Sequence, residues 1–135
     1  GGREHPSPAN PAAPNPAAQA MAAYLREHAS TTVRLEEVAA AAALDKYRAL
    51  RSFTAAFGLT PMRYLASLRV EAAREALAAG ANCADAAWAA GFSDQAHLTR
   101  AFKERLGMTP GFYQRAIAGA DPEDALASSP EQVRP

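Results

Sequence analysis

The chain has 135 residues, balanced at 14 Lys/Arg and 14 Asp/Glu, with three His and one cysteine, Cys83. That length allows one domain or two small lobes with tails, and a lone thiol excludes an internal disulfide. No apolar run nears a membrane span, no signal peptide is visible, and no Ser/His/Asp set, paired-carboxylate site or Gly-rich phosphate loop meets the needs of catalysis, so neither an enzyme nor a cofactor is expected.

The same counts exclude a structural zinc site within one chain unless carboxylates join it. The balanced charge hides a division. Met21 to Ala118 holds 12 Lys/Arg against 9 Asp/Glu, whereas the C-terminal end holds Asp121, Glu123, Asp124 and Glu131 against Arg134. The part expected to fold is mildly basic, so the placement of its cations matters more than the total. Apolar residues make up 49% of the chain but are mostly Ala. A modest core is expected, built from Tyr24, Leu25, Leu44, Phe53, Phe57, Leu65, Leu68, Leu77, Trp88, Phe92, Leu98, Phe102 and Tyr113.

Residues 1–20 are rich in Pro and Ala with almost no large apolar side chain, and are expected to form a semi-extended linker or tail. The opening Gly1-Gly2 in place of Met suggests a fragment or a cloning remnant. A first helix is predicted from Ala17 to Ala29, with Met21, Tyr24, Leu25 and His28 on one face. His28 is expected to be a partly covered structural residue. After Ser30-Thr31-Thr32, a second helix runs from Leu35 to Ala43 with Glu36 and Glu37 where carboxylates suit the dipole. Asp45 then caps a third helix that reaches Phe57. Ala49, Phe53 and Phe57 point inward, and Lys46, Tyr47, Leu50 and Arg51 share the opposite side. Arg48 is open between a phosphate contact and a solvated charge.

Gly58 stops that helix, and Thr60-Pro61 starts a long one from Pro61 to Ala79. Its Leu65, Leu68, Ala72, Ala76 stripe predicts a rod that packs against both lobes and fixes their separation. Gly80-Ala81-Asn82 closes it. A short helix follows from Cys83 to Ala90, with Trp88 expected to fill the core and Cys83 to be a small buried hydrophobe. Gly91-Phe92 ends that helix, and Ser93 or Asp94 caps the next. There Leu98, Phe102 and Leu106 form an apolar stripe, while Gln95, Ala96, Thr99 and Arg100 share another face with His97 at its edge. Gly107 stops it, Thr109-Pro110 starts a last helix to about Ile117, and the acidic end beyond is expected to be disordered.

Two of these stretches repeat. Shifted by 49 residues, Asp45 falls on Asp94, Arg51 on Arg100, Phe53 on Phe102, Gly58 on Gly107, Thr60 on Thr109, Pro61 on Pro110 and Tyr64 on Tyr113. The matches are Gly, Pro, Arg, Asp and aromatics rather than abundant Ala, so composition does not explain them. A short helix, a tight turn and a second helix with a polar face fit a helix-turn-helix reading head. Gln offers an amide fork for adenine, and Arg a guanidinium fork for guanine. His97 could bond a base or phosphate, or rest against the scaffold helix. The starts of the second, fourth and seventh helices present N–H groups suited to phosphate oxygens, with Thr60 and Thr109 at two of them.

The segments RSFTAAFGLTPMRYL, RVEAAREAL and GFSDQAHLTRAFKERLGMTPGFYQR resemble the DNA-binding domain of the AraC/XylS family of bacterial transcription regulators, over about Met21 to Ile117. The resemblance implies an all-α fold of about seven helices. Two helix-turn-helix subdomains, 21–60 and 81–118, would be joined by a central helix over 61–80. It implies sequence-specific binding of promoter DNA, two reading helices entering successive major grooves about 34 Å apart. Tyr47 and Arg51 sit where relatives contact bases, and Lys46 near a phosphate-contacting position. Leu50 departs from the polar residue often found there, and could touch a thymine methyl or simply pack. Arg69 resembles a recurrent structural Arg. Cys83 and Ala86 stand where relatives carry larger aliphatics, which puts the packing of the second subdomain in question.

The resemblance further implies a bacterial cytoplasmic, nucleoid-associated protein with RNA polymerase as a candidate partner. It also implies an N-terminal effector-sensing or dimerisation domain lying elsewhere. The residues alone leave three rivals: a helical protein-interaction module, an architectural DNA binder with little sequence preference, and an enzyme. A DNA-repair methyltransferase can carry such a domain, but Cys83 lies among alanines with no adjacent His or Lys to activate it.

Overall fold

A computed structural model describes residues 15–119. The linker expected over residues 1–20 is corrected at its end, because Asn15 caps the first helix and Pro16 to Ala20 form its first turns with Ala18 buried. The rest of that tail and the acidic end beyond Gly119 lie outside the described residues. The described chain is all-α. Its seven helices are α1 (Pro16–His28), α2 (Leu35–Ala41), α3 (Lys46–Phe57), α4 (Pro61–Ala78), α5 (Cys83–Ala90), α6 (Gln95–Leu106) and α7 (Pro110–Ile117).

Local chemistry sets these limits. The side chains of Asn15, Asp45, Asn82, Asp94 and Thr109 each accept a hydrogen bond from a first-turn N–H, satisfying donors that the helix itself leaves open. Of the two candidates before α6, Asp94 is the cap, taking the His97 N–H at 2.8 Å. α3 and α6 both end in a left-handed glycine, Gly58 at φ 80° and Gly107 at φ 78°. A side chain there would meet the adjoining carbonyl, and the free N–H bonds back into the last turn.

The chain divides into two compact units, the first ending at Leu68 and the second starting at Arg69. In the first, Met21, Ala22 and Leu25 of α1, Val38 of α2 and Ala49 and Phe53 of α3 are fully buried together with Leu65 of α4. Tyr24, Leu44, Phe57, Tyr64 and Leu68 pack against that core partly covered. Asn15 ties the start of α1 to α3, its amide donating to the Ser52 carbonyl at 3.4 Å. His28 is structural, stacked on Tyr24 at 4.1 Å with its Nδ1 2.9 Å from the Tyr24 carbonyl.

In the second unit, Val70, Ala73 and Leu77 of α4 close on Ala86, Ala87 and Ala90 of α5, on Phe92, and on Leu98 and Phe102 of α6. Two expectations fail here. Trp88 does not fill this core: it stands 82% exposed, because the inward side of α5 is made of three alanines. Their small side chains let the neighbouring helix come close enough for Leu98 and Phe102 to fill the space. Ala72 is also exposed rather than part of an inward stripe. α4 serves two cores, so its buried row passes from Leu65 in the first to Val70, Ala73 and Leu77 in the second.

The units repeat one another beyond the residues that are identical. The Phe53–Tyr64 ring pair, 5.4 Å apart at 62°, recurs as Phe102–Tyr113, 5.7 Å apart at 59°. Arg26 donates to the Tyr64 hydroxyl at 3.1 Å, and Arg74 to the Tyr113 hydroxyl at 3.4 Å. Each bond links the first helix of a unit to its last. From Arg26 to Arg74 the offset is 48 residues, not 49. The turn between scaffold and reading helix accounts for the slip. Its closing bond runs from Leu44 N–H to the Ala39 carbonyl in the first unit, and from Phe92 N–H to the Ala87 carbonyl in the second. Leu44 adjoins its cap Asp45 directly, whereas Ser93 stands between Phe92 and Asp94.

Candidate nucleic-acid interface

Each reading face follows from burial on the other side of its helix. In α3, Ala49 and Phe53 are wholly buried, which turns Tyr47 and Arg51 outward, with Leu50 at the border of the covered zone. Tyr47 is 78% exposed and Leu50 37%. Lys46 and Arg48 are exposed, but each has a carboxylate beside it. The Lys46 ammonium lies 3.3 Å from Glu36 of α2, and the Arg48 guanidinium 3.9 Å from Asp45. A hydrogen bond from the backbone, and then Lys46, hold the Glu36 carboxyl below the usual carboxylate range. Exposed pairs of this kind are weak, so a phosphate can replace the carboxylate at either cation.

In α6, buried Leu98 and Phe102 turn Gln95, Ala96 and Arg100 outward and leave Thr99 partly covered. His97 does not share that exposure. Its ring meets Phe92 edge-on at 5.0 Å and 84°, and its Nδ1 lies 3.3 Å from the Ser93 hydroxyl, so it rests against the turn. Thr60 and Thr109 are partly covered, and their hydroxyls accept the Arg63 and Phe112 N–H groups at 3.2 and 3.1 Å. These caps still leave other N–H groups at each helix start.

Two chemical features escape a reading of the sequence. Glu36 is ten residues before Lys46, and only the turn between α2 and α3 brings them together. The acidic residue on the scaffold helix was the available signal. Arg26 and Arg74 hold tyrosine hydroxyls in equivalent places, yet their register is off by one from the identities that reveal the repeat. Arg69 is half-buried, and burial pushes its guanidinium below the usual arginine range. Among the described residues, no group of three or more His, Cys, Asp and Glu could hold a metal ion.

The family profile described as a helix-turn-helix domain matches residues 38–116, more than half of the chain and both reading helices. The chain belongs to the AraC/XylS helix-turn-helix family. Among relatives in the AraC/XylS family, the transcriptional activator RhaS of Escherichia coli is 33% identical over 91 residues, covering 67% of this chain and 33% of that protein. The uncharacterised regulator YbfI of Bacillus subtilis is 39% identical over 75 residues, covering 56% of this chain and 27% of that protein. The chain therefore spans about a third or less of these relatives.

Solved structures agree. The DNA-binding domain of the global transcriptional factor AdpA, in complex with a target DNA, matches with a TM-score of 0.73 and 26% identity, over 82% of this chain and 99% of that one. The C-terminal domain of AraT from Geobacillus stearothermophilus matches at 0.71 and 25%, over 75% and 85%.

Proposed function

We propose that this AraC/XylS-type chain binds double-stranded DNA in a sequence-specific way as the reading part of a bacterial transcription regulator. The observation that carries this is the repeated outward placement of Arg51 and Arg100, each on a capped helix whose other side is locked by a buried Phe. Base edges are read by Tyr47, Leu50 and Arg51 in one unit, and by Gln95, Ala96, Thr99 and Arg100 in the other. Lys46 and Arg48, with the helix starts at Thr60 and Thr109, hold phosphates. His97 supports the turn rather than a base.

RNA polymerase, and an effector-sensing or dimerisation domain in the longer protein, are the partners this reading implies. The setting is the bacterial cytoplasm at the nucleoid, and no catalysis is assigned. The fit of the AdpA domain, seen with its target DNA, supports the reading.

One observation favours a second reading, a helical module that binds protein: Trp88 projects from α5 beside exposed Ala84 and Ala89. Salt separates the two. Fluorescence anisotropy with a selected duplex and a scrambled one, titrated from low to high salt, should show specific binding that weakens steeply as counterions are released. Equal affinity for both duplexes, or binding indifferent to salt, would count against DNA reading.

A further inference from the structure

The two outward faces keep one position in common and differ beside it. With Asp45 set on Asp94, Arg51 falls on Arg100, and both are exposed. One helical turn earlier stands Tyr47 in α3 and Ala96 in α6, both also exposed. Residues four apart lie one above the other on a helix surface, so each Arg and its neighbour face adjoining base pairs. An Arg guanidinium matches O6 and N7 of guanine with two parallel N–H bonds. Ala96 has only a methyl to offer, and its complement in the major groove is the C5-methyl of thymine. Tyr47 at the same place is too long for that contact at the same helix depth, and brings a hydroxyl that donates and accepts. The border position repeats the contrast, with Leu50 against Thr99.

We infer that the DNA sites of the two units share a guanine, held by Arg51 in one and Arg100 in the other. They differ in the base beside it, which Ala96 selects as thymine and Tyr47 does not. This rests on the DNA reading proposed above and specifies its target. Register cannot explain the difference, because Asp45 and Asp94 cap both helices alike and Phe53 and Phe102 are buried alike. It resides in the outward side chains alone.

The test is selection of duplexes from a random pool by the full chain in three forms. These are the wild type, Ala96→Tyr, and the triple change Lys46→Gln, Tyr47→Ala, Leu50→Thr, which gives α3 the four base-facing residues assigned to α6, Arg51 already matching Arg100. The wild type should enrich two unlike blocks that share a guanine when aligned in either strand sense, and the triple variant two like blocks. Ala96→Tyr should keep the guanine of its block and lower the thymine preference by about fourfold, the worth of one buried methyl contact. Ala96 is exposed, so this variant disturbs no core residue and decides the matter even if the triple variant fails to fold. Wild-type blocks with no common guanine, an unchanged thymine preference in Ala96→Tyr, or unlike blocks from a folded triple variant would each overturn the inference. A wild type that enriches nothing would overturn the DNA reading itself.

Discussion

Arg51 and Arg100 owe their outward placement to what is buried behind them. Phe53 and Phe102, two residues further on, face inward at full burial, and helical geometry then leaves each Arg in solvent. Replacing either Arg by Ala should remove about 1–3 kcal/mol of discrimination at one base position, read as the affinity ratio between the best duplex and one altered there. The Lys46–Glu36 pair makes a subtler case. Lys46→Ala should weaken binding to all sequences alike and reduce the salt slope by about one. Glu36→Gln should do the reverse, tightening binding to every duplex, because it releases the ammonium and removes a carboxylate from the phosphate side. Unchanged affinity in Glu36→Gln would show that the phosphate does not approach this cation.

The helices explain which features the sequence displays and which it hides. Caps and stops are legible because their chemistry is local: an Asp or Thr that must accept an N–H, a Gly that must take positive φ. Phe53 and Phe102 are legible because the helical period places them with Ala49 and Leu98. Trp88 misleads for a physical reason. Its size argues for burial, yet the alanines of α5 already close that side of the helix, and the ring is left in solvent. Ser93, the extra residue in the second turn, is hidden because the scaffold helices just upstream match only in alanine, which composition alone would produce at either offset. The rotation of His97 toward Phe92 likewise depends on that turn. These differences predict contrasting variants of the second unit. Phe102→Ala should cost about 3–5 kcal/mol in chemical denaturation through loss of buried contacts and the cavity left behind. Trp88→Ala should stay within about 0.5 kcal/mol of wild type, as substitutions at exposed positions do. A large loss for Trp88→Ala would contradict its exposure.

At the scale of the whole molecule, the two units repeat more of their physics than of their sequence. Each has a reading helix anchored by a buried Phe, a Phe–Tyr ring contact, and an Arg–Tyr bond from its first helix to its last. Their outward residues have diverged at every position but the shared Arg. A chain of balanced charge gains little affinity from its net field, so recognition must come from particular side chains. Interference by N7-methylguanine on a bound duplex tests this most directly, because the methyl group blocks the atom that an Arg fork needs. The wild type should show two separate stretches where methylation prevents binding, one lost in Arg51→Ala and the other in Arg100→Ala. Loss of the same stretch in both variants, or both stretches surviving in each, would contradict two units reading with the same residue.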